Sequence, residues 1–471
     1  MKLSRLLAPL GLSCPEDPEI TALTCHSREV TPGALFVALE GAHADGRAFI
    51  PDAIARGAAA VVCGGGPDAA APAITVPDPR EILGPLAAEF YGRPADGMTL
   101  IAVTGTKGKT TTAHMIRDIL AAGGRRVGMI GTLGAFLGRE KLADGVNTTP
   151  EPITLHRLLR RMAEGGCTHV VMEASSQAMK LHRLAGITFD AALFLNLTPD
   201  HIGGAEHADF SEYRACKAAL FRQCRLAVGN GSDPNWPVIA GEIPAGVPVH
   251  TFGRAEVAPG PGASTILAPD YAVALPGRFN GQNALAALTL CRALGVSDGT
   301  IRQGLAGVVV PGRTQLFPND RGITVLIDYA HNGDSFRALL STLADYPHRS
   351  ITVVFGAGGD RPRLRRWDMG RAAAEWADFA VVTADNPRTE RVEDNCRDIA
   401  GELEGRVPYT VIYDRREAIR FALDHAQPGD MVALLGKGHE EYIEVNGVRT
   451  HFSETEVLEE YFAGKKGPIL R

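Results

Sequence analysis

The stretch that decides the fold class is TLIAVTGTKGKTTTAHMIRDIL, residues 99–120. Its first part, TLIAV (99–103), has the apolar composition of a buried strand, and a helix is predicted from about Thr110 to Ala122. The glycine-rich loop between them would turn backbone N–H groups and the helix N-terminus toward an anion. A strand, a loop of this kind and a helix in that order predict a phosphate-binding site in an α/β protein.

The loop also carries side chains suited to phosphate and metal binding. Lys109 is predicted to reach the outer phosphates of a nucleotide, and the Thr110 hydroxyl is predicted to ligate magnesium. The pattern G-x-x-x-x-G-K-T would require glycine at Val103, whereas the first glycine of this loop is Gly105, so the loop is two residues tighter. The alternative is a chance Gly-Lys-Thr turn, which does not explain why strand, loop and helix coincide.

Short apolar runs alternate with helical patterns along most of the chain, which predicts largely parallel sheets. At roughly 150 residues per domain, 471 residues suggest about three domains, which we place at 1–97, 98–312 and 313–471. The expected strands are LFVAL (35–39), AVVC (60–63), HVVME (169–173), AALFLN (191–196), TVLID (324–328), ITVVF (351–355), FAVVT (379–383) and MVALL (431–435). The expected helices are PDAIARGAAA (51–60), 81–91 and GQNALAALTLCRAL (281–294).

Composition excludes several classes of protein. The net charge of -6 and the scattered basic residues give no reason to expect a nucleic-acid partner. The eight cysteines form no C-x-x-C pair, which argues against structural zinc and fits a reducing compartment. The N-terminal apolar run is too short for a signal peptide, and no stretch approaches the ~20 apolar residues that span a bilayer. We therefore expect a cytoplasmic protein with no membrane partner.

Two polar side chains follow predicted strands at one sheet edge. Glu173 ends HVVME, and a carboxylate at the carboxyl edge of a parallel strand suits Mg²⁺ or a bridging water. The alternative is a solvated strand end. His201 follows the next strand, beside Asn196 and Asp200, and is predicted to be functional, although a lone loop histidine is more often only a hydrogen-bonding residue.

Lys217 occupies an unusual position in FSEYRACKAALF. Helical spacing places it on the apolar stripe of Tyr213 and Leu220, four residues after the first and three before the second. A lysine that faces inward should be paired, extended toward solvent or chemically modified. The residues alone leave these alternatives open.

A series of short motifs in fixed order carries a resemblance to a known family. After TGTKGKTTT come NTTP (147–150), MEASSQA (172–178), NLTPDH (196–201), Lys217, FNGQNALAA (279–287), PGR (311–313), DYAH (328–331), FGAGGDR (355–361), DNPR (385–388) and GKGHE (436–440). Over essentially the whole chain, the sequence resembles the Mur ligase family and, within it, the UDP-N-acetylmuramoyl-tripeptide synthetases. The loop is similar to the family's TGTNGKT, with Lys107 in place of the more usual asparagine.

The resemblance implies a fold and an activity. It implies an N-terminal UDP-binding α/β domain, a central P-loop ATPase-like parallel sheet and a C-terminal Rossmann-like domain. It also implies a monomeric ligase that uses ATP and two Mg²⁺ ions to extend UDP-N-acetylmuramoyl-L-Ala-D-Glu through an acyl phosphate, in peptidoglycan precursor synthesis.

The resemblance also implies roles for individual residues. Those of the catalytic centre are Lys109, Glu173, His201 and Lys217, with Lys217 carbamylated (N6-carboxylysine) and Thr110, Glu173 and His201 at the metal. Those of the ATP site are Gly105, Thr106, Lys107, Gly108, Lys109, Thr110, Thr111, Asn283, Arg313, Asp328 and His331. Those of the UDP-muramoyl-dipeptide site are Ser27, Arg28, His43, Asn147, Thr148, Thr149, Ser175 and Arg183. Those of the amino-acid site are Arg361, Asp385, Asn386, Arg388, Gly436 and Glu440.

Two amino acids compete as the one that is added. DNPR resembles the diaminopimelate-adding enzymes, where Arg388 would meet a distal carboxylate that lysine lacks. TGTKGKTT, SSQA and PDHIG look more like the lysine-adding enzymes. We expect meso-diaminopimelate, with L-lysine as the alternative, because the pocket residue should decide.

Two other functions remain as alternatives. A folylpolyglutamate synthetase would share the ATP loop and the lysine but lack GAHADGRAF (41–49) and the DNPR and GKGHE pair. A non-catalytic nucleotide-binding protein would not need Lys109, Glu173, His201 and Lys217 together.

Overall fold

The computed structural model describes residues 1–41, 45–65, 71–145, 147–200, 202–204 and 206–464. The chain divides into two compact units. The first contains Met1–Arg254 and Ala286–Ile301, and the second contains Ala255–Leu285 and Arg302–Arg471. Both units combine helices with parallel strands, which confirms the predicted α/β class.

The first unit begins with a four-stranded parallel sheet. Its elements are β1 (Ala22–Thr24), β2 (Ala34–Val37), β3 (Ala58–Gly64), β4 (Ala73–Val76), α1 (Leu3–Leu7), α2 (Ile50–Ala55) and α3 (Pro79–Phe90). The strands lie in the order β1-β2-β3-β4. Every residue of β2 is buried, as expected for a parallel strand that is covered on both faces.

The helix predicted over residues 51–60 is wrong in its second half. Helix α2 ends at Ala55, and Gly57 takes a φ of +96° that reverses the chain. Ala58 and Ala60 then pair with β2, because strand pairing and burial outweigh the helical preference of alanine.

The first unit also contains an eight-stranded sheet. Its elements are β5 (Thr99–Thr104), β6 (Val127–Gly131), β7 (Gly134–Leu137), β8 (Glu140–Ala143), β9 (His169–Glu173), β10 (Ala191–Phe194), β11 (Ala227–Asn230), β12 (Val249–Phe252), α4 (Lys109–Ala122), α5 (Pro152–Glu164), α6 (Ser176–Lys180), α7 (Phe210–Ala219) and α8 (Trp236–Ala240). The strand order is β12-β11-β10-β5-β9-β6-β7-β8, and all neighbouring pairs are parallel except β6 with β7 and β7 with β8.

Three predicted strands of this sheet are neighbours at its middle. Strand β5 lies between β9 and β10 and is parallel to both. The carboxyl ends of parallel strands share one edge, so the loop after β5, Glu173 of β9 and the segment after β10 lie close together. This edge is the position predicted for the phosphate site.

The second unit contains three sheets. Its elements are β13 (Val257–Pro259), β14 (Thr265–Leu267), β15 (Tyr271–Val273), β16 (Gln315–Phe317), β17 (Thr324–Asp328), β18 (Ile351–Phe355), β19 (Phe379–Val382), β20 (Tyr409–Val411), β21 (Met431–Leu435), β22 (Tyr442–Val445), β23 (Val448–His451), α11 (Gly333–Ala344), α12 (Leu364–Trp376), α13 (Val392–Leu403), α14 (Arg415–His425) and α15 (Glu454–Gly464). Helices α9 (Arg278–Ala293) and α10 (Asp298–Ala306) each contain residues of both units.

The main sheet of the second unit has the order β16-β17-β21-β18-β19-β20, and all pairs except β16 with β17 are parallel. All five residues of β21 are buried. Met431, Ala433 and Leu435 pack into the apolar core on one face, and Val432 and Leu434 pack into the core on the other. This two-sided burial explains why the strand is a continuous apolar run in the sequence.

The predicted domain boundaries near residues 97 and 312 stay predictions. Residue 97 falls between the two sheets of the first unit, and residue 312 falls within the second unit. Among the helices of the described ranges, none is long and apolar enough to cross a bilayer.

Candidate active site

The phosphate loop is held against the end of β10. Gly105 and Gly108 take φ values of +155° and +86°, a region that side chains disfavour. The Thr106 amide donates to the Asn196 carbonyl at 2.9 Å, and the Lys107 amide donates to Asn196 Oδ1 at 3.0 Å. Asn196 therefore fixes the loop, a role that its place in NLTPDH did not reveal.

Three side chains lie at the junction of the loop with α4. Lys109 is the first residue of the helix, and its Nζ donates to the carbonyl oxygens of Gly105 at 2.9 Å and Thr106 at 3.2 Å. Thr110 and Thr111 follow in the first turn and are buried. The predicted segment from Gly105 to Thr111 thus forms one continuous loop and helix start.

Glu173 is a buried carboxylate beside this helix start. Its residue is 2% exposed, and Oε2 accepts from Thr110 Oγ1 at 3.0 Å and from Thr132 Oγ1 at 3.1 Å. Oε1 accepts from the Thr132 amide at 3.0 Å. Burial raises the pKa of Glu173, and the positive charge of Lys109 opposes the rise. Thr132 was not predicted, because β6, the strand before it, was not recognised in the sequence.

The chemistry of these groups fits a magnesium ion. The Thr110 hydroxyl and the Glu173 carboxylate are adjacent, and both are the hard oxygen ligands that Mg²⁺ takes. The third predicted ligand, His201, lies outside the described residues.

Lys217 is buried in α7, as its position on the apolar stripe predicted. It is 2% exposed, its Nζ donates to the Gly105 carbonyl at 3.0 Å, and it lies 4.8 Å from the centre of the Tyr213 ring. Burial, followed by the positive charge of Lys109, holds the pKa of Lys217 well below its usual value. The lowered pKa favours the neutral amine over the ammonium form.

Four residues predicted to bind the muramoyl-dipeptide lie around Glu173. Thr149 Oγ1 donates to the Glu173 carbonyl at 2.8 Å and accepts from the Ser175 amide at 3.1 Å. Arg183 Nη1 donates to the Thr149 carbonyl at 3.1 Å. Thr148 Oγ1 lies 3.1 Å from the Thr132 hydroxyl that also contacts Glu173. Substrate and metal candidates thus form one network in the first unit.

The remaining members of that set are on the surface or outside the described ranges. Ser27 and Arg28 lie in a short 3-10 helix, Ser27–Glu29, and the Arg28 and Asn147 side chains are exposed. A hydrogen bond from Arg56 lowers the pKa of the Asp52 carboxyl group, and a hydrogen bond from Ser27 adds a smaller effect in the same direction. His43 lies outside the described residues.

The other predicted ATP residues, Asn283, Arg313, Asp328 and His331, belong to the second unit. The helix that carries Asn283, α9, continues into the first unit. Asp328 accepts from the Thr314 amide at 2.6 Å and the Ala330 amide at 2.7 Å. Burial raises the pKa of Asp328, and Arg313 opposes the rise. Asn283 is buried in α9, and His331 Nδ1 lies 2.8 Å from the Tyr329 carbonyl.

All six residues predicted for the amino-acid site line one pocket, which has a cavity volume of about 100 Å³. The pocket lies at the carboxyl ends of β18, β19 and β21, where the predicted motifs leave the sheet. The six are Arg361, Asp385, Asn386, Arg388, Gly436 and Glu440. Tyr329, His331 and Arg365 also line it; Arg365 was seen in the sequence only as part of a short basic run.

The pocket contains both signs of charge. Arg361, Arg365 and Arg388 contribute guanidinium groups, and Asp385 and Glu440 contribute carboxylates. Arg388 has a φ of +52°, and its Nη1 donates to the Gly359 carbonyl at 2.6 Å, which holds the side chain at the pocket. Such a lining suits a ligand that carries carboxylate and ammonium groups together.

Comparison with known proteins agrees with this architecture. Family models match residues 19–91 (Mur ligase family, catalytic domain), 103–291 (Mur ligase middle domain) and 312–438 (Mur ligase, glutamate ligase domain). The UDP-N-acetylmuramoyl-L-alanyl-D-glutamate–2,6-diaminopimelate ligase of Geobacillus thermodenitrificans is 40% identical over 94% of this chain and 95% of its own length. The chain belongs to the Mur ligase family.

Further Mur ligases show the same similarity. A protein of the same name from Chlorobaculum tepidum is 40% identical over 95% of this chain and 93% of its own length. A solved structure of a ligase of that name superimposes with a TM-score of 0.72 at 30% identity, covering 95% of this chain and 96% of that one. A Mycobacterium tuberculosis folylpolyglutamate synthase, solved with ADP and AMPPCP, shares only the fold, with a TM-score of 0.59 at 20% identity over 76% of this chain and 92% of that one.

Proposed function

We propose that this Mur ligase joins meso-diaminopimelate to the D-glutamate side-chain carboxylate of UDP-N-acetylmuramoyl-L-Ala-D-Glu, with ATP as the energy source. The observation that carries the proposal is the pocket lined by Arg388, two other arginines, Asp385 and Glu440. The far end of diaminopimelate bears both an ammonium and a carboxylate, whereas the far end of L-lysine bears only an ammonium. The names of the relatives support the same substrate.

The first step forms an acyl phosphate. A carboxylate oxygen of D-glutamate attacks the γ-phosphorus of ATP, and ADP leaves with the electron pair of the broken P–O bond. Lys109 and the N-terminus of α4 offset the negative charge that the transferring group carries. Thr110, Glu173 and His201 would hold Mg²⁺, which supplies further positive charge at the phosphate oxygens.

The second step forms the amide. The neutral amine of the incoming amino acid attacks the acyl carbon, loses a proton and displaces inorganic phosphate. Thr149, Ser175 and Arg183 would hold the dipeptide close to the phosphate loop, because their network reaches Glu173. Holding both reactants in one geometry accounts for a large part of the acceleration in such reactions.

Lys217 is proposed to act as N6-carboxylysine. Its neutral amine would attack carbon dioxide and release one proton, and the resulting carbamate would replace a donor by an anion. The low pKa of Lys217, which follows from burial and from Lys109, supports this reaction. The carbamate would bind a second Mg²⁺ ion.

The remaining assignments are part of the same proposal. The UDP moiety would contact Ser27, Arg28 and His43, and Asn147 and Thr148 would complete the dipeptide site. Asn283, Arg313, Asp328 and His331 would complete the nucleotide site. The enzyme would act as a cytoplasmic monomer with domains at 1–97, 98–312 and 313–471.

The proposal is tested by mass spectrometry of the product. Purified protein is incubated with ATP, Mg²⁺, UDP-N-acetylmuramoyl-L-Ala-D-Glu and meso-diaminopimelate. A UDP-tripeptide should form only when all components are present. Parallel incubations contain L-lysine in place of meso-diaminopimelate, or glutamate with a folate. A product formed only with L-lysine would show that lysine is the added amino acid, and glutamate addition to the folate would favour the folylpolyglutamate synthetase alternative.

A further inference from the structure

A fully buried lysine lies behind the amino-acid pocket. Lys437 is 0% exposed and is not among the residues that line the pocket. Its Nζ lies 3.0 Å from Asn386 Oδ1, 3.3 Å from Asp385 Oδ1 and 3.4 Å from Glu440 Oε2. The ammonium therefore contacts three side chains that the proposed function places at the substrate.

The backbone on both sides of Lys437 requires glycine. Gly436 and Gly438 take φ values of +109° and +57°, where β21 ends and the chain turns. A Cβ at Gly438 would lie 2.7 Å from the Tyr329 Cβ, closer than side-chain atoms pack. This turn is what directs the Lys437 side chain beneath the pocket floor instead of into solvent.

Lys437 fixes the orientation of the Asn386 amide. Asn386 Oδ1 accepts from Lys437 Nζ and from the Glu444 amide, each at 3.0 Å. With the oxygen held in this way, Asn386 Nδ2 donates to Glu440 Oε2 at 2.7 Å. If the Asn386 amide were rotated by half a turn, its NH₂ group would face two donors, Lys437 Nζ and the Glu444 amide. Only the observed orientation therefore satisfies all three hydrogen bonds.

Lys437 also sets the charge of the pocket floor. Asp385 and Glu440 contribute two negative charges, and Lys437 contributes one positive charge between them. These three groups together keep one net negative charge, which the ammonium group of a bound diamino acid can neutralise. Without Lys437, the two largely buried carboxylates would lose the cation that both of them contact.

We infer that Lys437 is a positioning residue for amino-acid recognition, which holds Asp385, Asn386 and Glu440 in the geometry that receives the substrate ammonium. This inference rests on the proposed function. The simpler reading is that Lys437 only stabilises the fold of the second unit.

Steady-state phosphate release by Lys437→Met separates the two readings. We expect the KM for meso-diaminopimelate to rise about tenfold or more, as expected for the loss of a charge-assisted hydrogen bond, while the KM values for ATP and the UDP-dipeptide stay unchanged. Lys437→Gln, which keeps a donor for Asn386 but no charge, should show a smaller rise in the KM for meso-diaminopimelate.

The matched control is Arg349→Met. Arg349 pairs with the buried Asp430 at the opposite end of β18 and β21, so this variant also deprives a buried carboxylate of its cation. It should lose stability without a change in the KM for the amino acid. Equal KM values in Lys437→Met and the control would overturn the inference, whereas absence of amino-acid-dependent phosphate release in the unmodified enzyme would overturn the proposed function itself.

A crystal structure of the unmodified enzyme with meso-diaminopimelate decides the case in which neither variant folds. The substrate ammonium should lie within hydrogen-bonding distance of Asp385 or Glu440, with the contacts of Lys437 intact. An ammonium bound away from both carboxylates would overturn the inference.

Discussion

Lys217 and Lys109 donate to the same acceptor, the carbonyl oxygen of Gly105, at 3.0 and 2.9 Å. Two ammonium groups that share one acceptor repel each other, and the burial of Lys217 adds a larger penalty on its charged form. The lowered pKa favours the neutral form of Lys217, which is the form that the proposed reaction with carbon dioxide requires. Lys109 is the lysine proposed to contact phosphate.

Replacement of Lys217 tests this role. Lys217→Ala should lower ligation about a hundredfold or more, because the carbamate proposed to bind a second Mg²⁺ is lost, and a small carboxylic acid such as formate should restore part of the activity. The assay is phosphate release with both substrates. Lys141→Ala, which removes a half-exposed lysine of the same unit, should retain full activity. Full activity of Lys217→Ala without added acid would refute the carbamate.

Glycine at 131 makes room for the Glu173 carboxylate. A methyl group at this position would overlap Glu173 Oε1, so Gly131→Ala should displace the carboxylate from Thr110. We expect the Mg²⁺ concentration for half-maximal activity to rise about tenfold to a hundredfold. Gly299→Ala, which meets no atom within 4 Å, is the matched control. An unchanged Mg²⁺ requirement in Gly131→Ala would remove Glu173 from the metal site.

Arg388 should decide which amino acid is added. Arg388→Lys keeps the charge but loses the planar pair of donors for a carboxylate, so the KM for meso-diaminopimelate should rise about tenfold or more. Competition between meso-diaminopimelate and L-lysine measures the change in preference. Arg391→Lys replaces an exposed arginine nearby in sequence and should leave the preference unchanged. The same result for both variants would exclude Arg388 as the specificity residue.

Buried His156 predicts a pH dependence of stability. Burial, with a smaller effect of Arg93, lowers the pKa of His156 from 6.5 to about 4. Between these values the unfolded chain binds a proton that the folded chain does not, so the free energy of unfolding should fall as pH is lowered across that window, by about 3 kcal/mol at most.

Urea unfolding at several pH values across that window checks the prediction. His156→Phe should flatten the dependence, since it removes the group that must be protonated. His250→Phe, at an exposed position, should leave the dependence as it is. A dependence that persists unchanged in His156→Phe would assign it to other groups.

The sequence was sufficient where local patterns determine structure. The run at 99–120 gave the strand, the loop and the helix, because glycine spacing and apolar composition are local properties. The burial of Lys217 followed from helical spacing relative to Tyr213. The pocket residues were predicted from the family resemblance, and the parallel strands β18, β19 and β21 bring their motifs to one edge of the sheet.

Other features depend on contacts that no local pattern encodes. Ala58 and Ala60 have a helical preference, yet they pair with β2 from a distant part of the chain. Lys437 resembles a loop lysine in GKGHE, and only the turn at Gly436 and Gly438 directs it inward. Two of its three partners, Asp385 and Asn386, come from another segment of the chain, so their contact with Lys437 requires the folded sheet.

The most direct test of the proposed activity is phosphate release from ATP with UDP-N-acetylmuramoyl-L-Ala-D-Glu, comparing meso-diaminopimelate with L-lysine. We expect release with diaminopimelate and little with lysine. A preference for lysine would contradict the role given to Arg388, and no release with either amino acid would contradict the proposed ligase activity.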